Sequence, residues 1–129
     1  MEKLVITIRL GKHSTDGFCE VIRWLDDIGL SMKNPASALV TGFGPKGQFV
    51  TSMESVRDDA KNRKPGCVQL WFDNETDIFV SWNRQEVSIF LDGLEDHQKD
   101  SVLESLLKNF AVVKLVGSRL GWKMCFEYV

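Results

Sequence analysis

The stretch that decides the fold reads Cys67-Val-Gln-Leu-Trp-Phe-Asp-Asn-Glu-Thr-Asp-Ile-Phe-Val-Ser-Trp-Asn-Arg-Gln-Glu-Val-Ser-Ile-Phe-Leu91. It contains three apolar runs, 67–72, 78–82 and 87–91, and each run alternates in the period-2 pattern of a strand. Two polar linkers of a few residues separate the runs. Linkers this short join antiparallel neighbours. The stretch therefore predicts a β-meander.

Alternation divides the side chains of the meander between two faces of a sheet. One face is wholly apolar and belongs in the core, whereas the other carries Trp71, Phe79 and Phe90 among polar residues. If Trp71 lies opposite Phe79, and Phe79 opposite Phe90, the three rings form a row across the sheet. Two interpretations stay open. Either residues 31–37 or 53–64 cover the row, or the row is an exposed patch for a partner.

Helical periodicity on both sides of the meander predicts two main helices. The first follows a capping cluster at 13–16 and ends at Gly29, with Leu30 packing back in a Schellman motif. The second spans 95–109, with acidic residues at its start and Lys108 at its end. A capping box from Thr51 to Glu54 would open a shorter, marginal helix.

Further alternating runs predict strands at 3–10, 38–43, 48–52, 111–116 and 122–129. The element order becomes β-α-β-β-(α)-β-β-β-α-β-β, without a repeat or a domain linker. We therefore expect a single α+β domain over residues 1–129. It would have a mostly antiparallel sheet, a central β-meander and the two main helices packed on one face.

Composition excludes several classes of function. The chain has 129 residues and a net charge of −2, from 16 basic and 18 acidic residues, and so lacks the basic excess of a nucleic-acid binder. Its three cysteines are far apart and form no Cys-x-x-Cys pair. No apolar run has the length of a signal h-region or a membrane span. These features predict a cytoplasmic protein that contacts neither nucleic acid nor membrane.

Three motifs suggest chemistry, and each has a simpler interpretation. Residues 42–47 match the G-x-G-x-x-G pattern of dinucleotide sites, but a strand pattern follows them, so a hairpin turn is favoured. His13, Ser14 and Asp16 are too crowded for a hydrolase triad and favour a helix cap. His97 lacks a second histidine nearby for a metal site. We therefore predict no catalytic residues, no cofactor, no metal and no enzymatic activity.

Carboxylates cluster at Asp26-Asp27, at Asp58-Asp59 and around Asp92 and Asp96. The ordinary interpretation is a solvated surface. The functional alternative is an acidic surface that meets a basic partner and steers its association.

The order strand, turn, strand, acidic turn and helix, from Asp77 through Asp92 to Leu107, resembles bacterial immunity proteins of polymorphic toxin systems. The likeness is one of architecture and covers roughly the middle half of the chain. It implies a small cytoplasmic protein that binds and neutralises a cognate toxin domain through a tight interface, without catalytic residues.

Two functions follow as hypotheses. The first is such an immunity protein, with these partner-binding residues: Trp71, Phe79, Phe90, Asp58, Asp59, Asp92 and Asp96. The alternative is a small ligand-sensing or regulatory domain of ferredoxin-like type, with residues 42–47 as its ligand loop. In either case an edge strand is able to pair with a second copy of the chain, which makes a homodimer possible.

Overall fold

The meander predicted at 67–91 forms three adjacent antiparallel strands at the centre of a larger sheet. The computed structural model describes residues 3–10, 14–62, 64–73, 76–83, 85–118 and 121–127. Within them the elements are β1 (Lys3–Arg9), α1 (Ser14–Asp27), β2 (Val40–Gly44), β3 (Gly47–Thr51), α2 (Met53–Lys61), β4 (Gly66–Trp71), β5 (Asp77–Trp82), β6 (Glu86–Phe90), α3 (Asp96–Asn109), β7 (Ala111–Ser118) and β8 (Gly121–Glu127). A 3₁₀ turn, Leu91–Gly93, joins β6 to α3.

The eight described strands form one sheet in the order β3-β2-β4-β5-β6-β1-β8-β7. Neighbours are antiparallel except β1 and β8, which run parallel. The α+β class and the mostly antiparallel sheet are therefore as predicted. The first strand of the chain lies inside the sheet because the meander's last strand covers one of its edges and β8 covers the other.

The hydrophobic core lies between one face of the sheet and a layer of helices. Alternate strand residues such as Val68, Val80 and Ile89 are fully buried there, against the apolar faces of the helices. The wholly apolar face that alternation predicted is thus the core face. We call the opposite surface the open face, because no helix among the described residues packs on it.

Helix α1 contacts both of the other helices. Its end is the predicted Schellman motif, in which Gly29 has φ +100° and the N–H of Leu30 donates to the carbonyl of Leu25 at 2.8 Å. The Trp24 indole N–H donates to the Ser105 hydroxyl at 2.7 Å and so joins α1 to α3.

The shorter helix predicted after Thr51 is present as α2 (Met53–Lys61), a third helix in the described part of the chain. Its N-cap is Ser52, whose Oγ accepts a hydrogen bond from the N–H of Ser55 at 3.1 Å, and not the predicted Thr51. Val56 and Ala60 lie one turn apart and are both buried, in contact with the core. Tertiary packing of this kind stabilises a short helix whose own sequence is only marginally helical.

Candidate functional site

The register of the meander determines which aromatic side chains meet on the open face. Phe79 pairs with Phe90, as predicted. Trp71 pairs with Asp77 and not with Phe79, so this part of the prediction was wrong, and Gln69 stands opposite Phe79. The β4–β5 turn is closed by a hydrogen bond from the N–H of Phe72 to the carbonyl of Thr76. This bond fixes a register that differs by two residues from the predicted one. A shift of two residues keeps Trp71 on the open face.

A fourth ring, which the sequence analysis missed, joins this group. Phe43 of β2 contacts Phe79 edge to face, with ring centroids 4.9 Å apart and planes at 84°. The only signal for Phe43 was its parity within a predicted strand. Its neighbours across the sheet depend on long-range pairing, which periodicity does not report. We call Phe43, Trp71, Phe79 and Phe90 together the aromatic patch.

The aromatic patch is partly open to solvent. The side chain of Phe79 is 39% exposed, and the other three rings are half-buried. The indole N–H of Trp71 is buried and has no hydrogen-bond partner among the described residues. On the same face of the sheet, the side-chain amide of Gln69 donates to the carboxylate of Asp77. The patch therefore combines apolar rings with one carboxylate held beside them.

The row next to the aromatic patch consists of small polar residues. Cys67, Ser81, Ser88, Thr7 and Cys125 pair in succession across five strands. Burial raises the pKa of the Cys67 thiol, and Thr7 is almost fully buried. The part of the open face that lies on β1 and β8 is therefore buried, at Thr7 and Cys125. The accessible part therefore lies towards β2–β5, where Val50 and Phe79 are exposed.

The structure does not gather the predicted acidic residues around the aromatic patch. Asp58 and Asp59 belong to α2 and Asp96 begins α3, and the buried residues of both helices pack in the core, on the other side of the sheet from the aromatic patch. Asp92 is exposed in the 3₁₀ turn after β6, at the same end of the sheet as Trp71. Of the four acidic residues, only Asp92 is near the edge of the patch.

The glycine-rich segment at 42–47 is the hairpin between β2 and β3, as its turn chemistry predicted. Gly44 pairs with Gly47 across the turn, and Gly47 takes φ +97°, which favours glycine. A strand follows the turn, so there is no helix N-terminus to hold a phosphate.

His13, of the crowded capping cluster, lies outside the described residues, as do the side chains of Ser14 and Asp16. His97 is exposed on α3, 3.4 Å from the carboxylate of Glu95. Across the described ranges, no three His, Cys, Asp or Glu side chains converge as metal ligands would. No helix in those ranges is long and apolar enough to span a membrane.

Comparison of the chain with protein-family models, with curated proteins and with solved structures gave no match. The residues of the open face are therefore the basis for a functional assignment.

Proposed function

We propose that the protein is a binding module without catalytic activity, whose aromatic patch receives another protein. The observation that carries this proposal is the exposure of Phe79, which contacts Phe43 edge to face and pairs across the strands with Phe90, on a sheet face that no described helix covers. Exposed clusters of aromatic residues are typical of interfaces, because they bury large apolar areas at low cost in side-chain entropy.

The dimensions of the aromatic patch favour a macromolecular partner. Its rings lie on β2, β4, β5 and β6, which are four successive strands of the sheet. Three inter-strand spacings span about 14 Å. A ring cluster of this width on a sheet matches the central cluster of a protein interface, whereas small ligands are usually enclosed in a cleft.

Charge near the aromatic patch favours a basic partner. Asp77 is half-buried within the patch, and Asp92 is exposed at the end of the sheet. The whole chain carries a net charge of −2. Cationic side chains on the partner would complement these carboxylates, and the carboxylates would repel acidic competitors.

The partner we propose is a cognate toxin domain that this protein neutralises, as the architectural resemblance to immunity proteins suggests. An inhibitor of this kind needs a tight one-to-one interface and no catalytic group. The test begins with the product of the neighbouring gene, co-purified with the tagged protein and sized by chromatography with light scattering. A stoichiometric complex that suppresses the toxicity of that product supports the proposal. A neighbouring product that neither binds nor is toxic removes the immunity function.

Two matched variants locate the interface. Phe79→Ala removes the exposed ring of the aromatic patch. Leu107→Ala removes a side chain of α3 that is even more exposed, at 58% against 39%, but lies in the helix layer. We expect Phe79→Ala to weaken the complex about 30-fold, which corresponds to about 2 kcal/mol for a hot-spot residue. Leu107→Ala should leave the affinity unchanged. Equal effects of the two variants would show that the partner does not use the aromatic patch.

The alternative, a ligand-sensing domain, is favoured by a different observation. A pocket opens between α1 and α2, on the opposite side of the sheet from the aromatic patch. The predicted ligand loop at 42–47 is a hairpin turn and contributes nothing to this pocket. A metabolite that raises the melting temperature without any protein partner would support this alternative.

A further inference from the structure

A pocket of about 350 Å³ lies where α1 and α2 meet the segment that follows α1. Its volume is in the range of small-molecule sites. Four buried side chains form its apolar base, namely Phe18, Ile22, Leu30 and Met32.

The wall of the pocket on the α2 side is adaptable. Met53 is the first residue of α2, and it is partly buried against the core. Methionine side chains adjust to ligands of irregular shape because their thioether chains are flexible and polarisable. Cys19, a free and half-buried thiol of α1, completes the wall opposite.

Charged side chains surround the mouth of the pocket. Arg23 and Arg57 contribute two guanidinium groups and Asp26 one carboxylate, so the lining carries one net positive charge. Arg23 already binds Glu20, with 3.0 Å between the guanidinium and carboxylate atoms. Arg57 forms no ion pair with any described residue, so its guanidinium is available to an incoming anion.

We propose that this pocket binds a small carboxylic acid with an apolar tail. The tail would occupy the base formed by Phe18 and Met32, and the carboxylate would pair with Arg57 at the mouth. Guanidinium groups form charge-assisted, often bidentate hydrogen bonds with carboxylates. Asp26 disfavours a second negative charge on the ligand, and so selects a monoanion. This site is separate from the aromatic patch and does not depend on the proposed partner.

Octanoate is the probe, because it is a monoanion with a flexible tail and a chain too short to form micelles at the concentrations needed. Alkylation of Cys19 by N-ethylmaleimide, followed by peptide mass spectrometry, reports occupancy of the pocket. Cys67 is a half-buried thiol on the open face, and it serves as the internal control. We expect octanoate at ten times its Kd to slow alkylation of Cys19 about tenfold, with little change at Cys67. Equal slowing at both thiols would indicate general stabilisation and would overturn the assignment.

Two comparisons test the role of the carboxylate. 1-Octanol and octylamine have the same number of carbon atoms as octanoate but no carboxylate, and both should protect Cys19 much less than octanoate does. Arg57→Gln should weaken octanoate binding about tenfold or more. Lys61→Gln removes a positive charge from the same helix outside the pocket and should not. Circular dichroism confirms that each variant is folded. Absence of protection, equal protection by octanol, or equal affinity of the two variants would each overturn the proposal.

Discussion

The hydrogen bond from Trp24 to Ser105 gives the sharpest prediction about stability. Replacement of Ser105 by alanine removes the acceptor of a 2.7 Å bond from the Trp24 indole. Trp24 is only 8% exposed and packs edge to face on Phe110, with ring centroids 5.4 Å apart. The indole is therefore held in place and is not free to turn its N–H to solvent.

The expected loss in the free energy of unfolding follows from the Trp24 indole N–H, which becomes a buried donor without a partner. Leaving a buried donor unpaired lowers the free energy of unfolding by about 1–3 kcal/mol. Alanine also raises the helix propensity of α3 by about 0.5 kcal/mol relative to serine, which offsets part of the loss. Ser101 lies one turn earlier on the same helix, is exposed, and provides a control with the same gain in propensity. The difference between Ser105→Ala and Ser101→Ala should therefore equal the full 1–3 kcal/mol.

Urea unfolding followed by far-ultraviolet circular dichroism measures both variants, because this signal does not depend on the fluorescence of Trp24. We expect Ser101→Ala to equal or slightly exceed the wild type in free energy of unfolding. Ser105→Ala should unfold at a clearly lower urea concentration with an unchanged slope. If the two variants agree within about 0.3 kcal/mol, the bond between α1 and α3 does not stabilise the fold as argued.

Two further predictions concern the Cys67 thiol and the sheet edge. Burial raises the pKa of the Cys67 thiol above its ordinary value of 9.0. The thiol of the unfolded chain therefore ionises at a lower pH than the thiol of the folded chain. As the pH rises through 9, this difference lowers the free energy of unfolding. The difference in stability between the wild type and Cys67→Ala should therefore shrink from pH 8 to pH 10, and a constant difference would contradict the raised pKa. Strand β3 lies at the edge of the sheet and contains no charged residue. The side chains of Phe49 and Val50 on this strand are 50% and 66% exposed. Uncharged edge strands with exposed apolar side chains are prone to associate. Light scattering should show self-association of the wild type at high concentration and a monomer for Val50→Lys, whereas a monomeric wild type would refute edge pairing.

Local patterns in the sequence were sufficient for the elements and the core face. Alternation at 67–91 identified three strands and the buried side of each, because a sheet with one covered face imposes a period of two. The stop at Gly29 was equally predictable, since the Schellman motif involves only neighbouring residues. Each of these features depends on contacts within a few positions of the chain.

Features that depend on distant pairing were harder to predict. A shift of two residues between β4 and β5 preserves every face assignment, so parity was unable to show that Asp77, and not Phe79, stands opposite Trp71. The contact of Phe43 with Phe79 joins strands that are far apart in the chain, and no local pattern reports it. Helix α2 was predicted to be only marginally stable for the same reason. Its stability comes from the packing of Val56 and Ala60 on the core.

The layered arrangement limits what a single partner is able to contact. Asp58, Asp59 and Asp96 lie in the helix layer, whereas the aromatic patch lies on the other side of the sheet. Packed layers are on the order of 10 Å apart, and the Debye length at physiological ionic strength is about 8 Å. A partner seated on the aromatic patch is therefore largely screened from these three carboxylates. Direct electrostatic contact then falls to Asp77 and Asp92, since only they lie within or beside the patch.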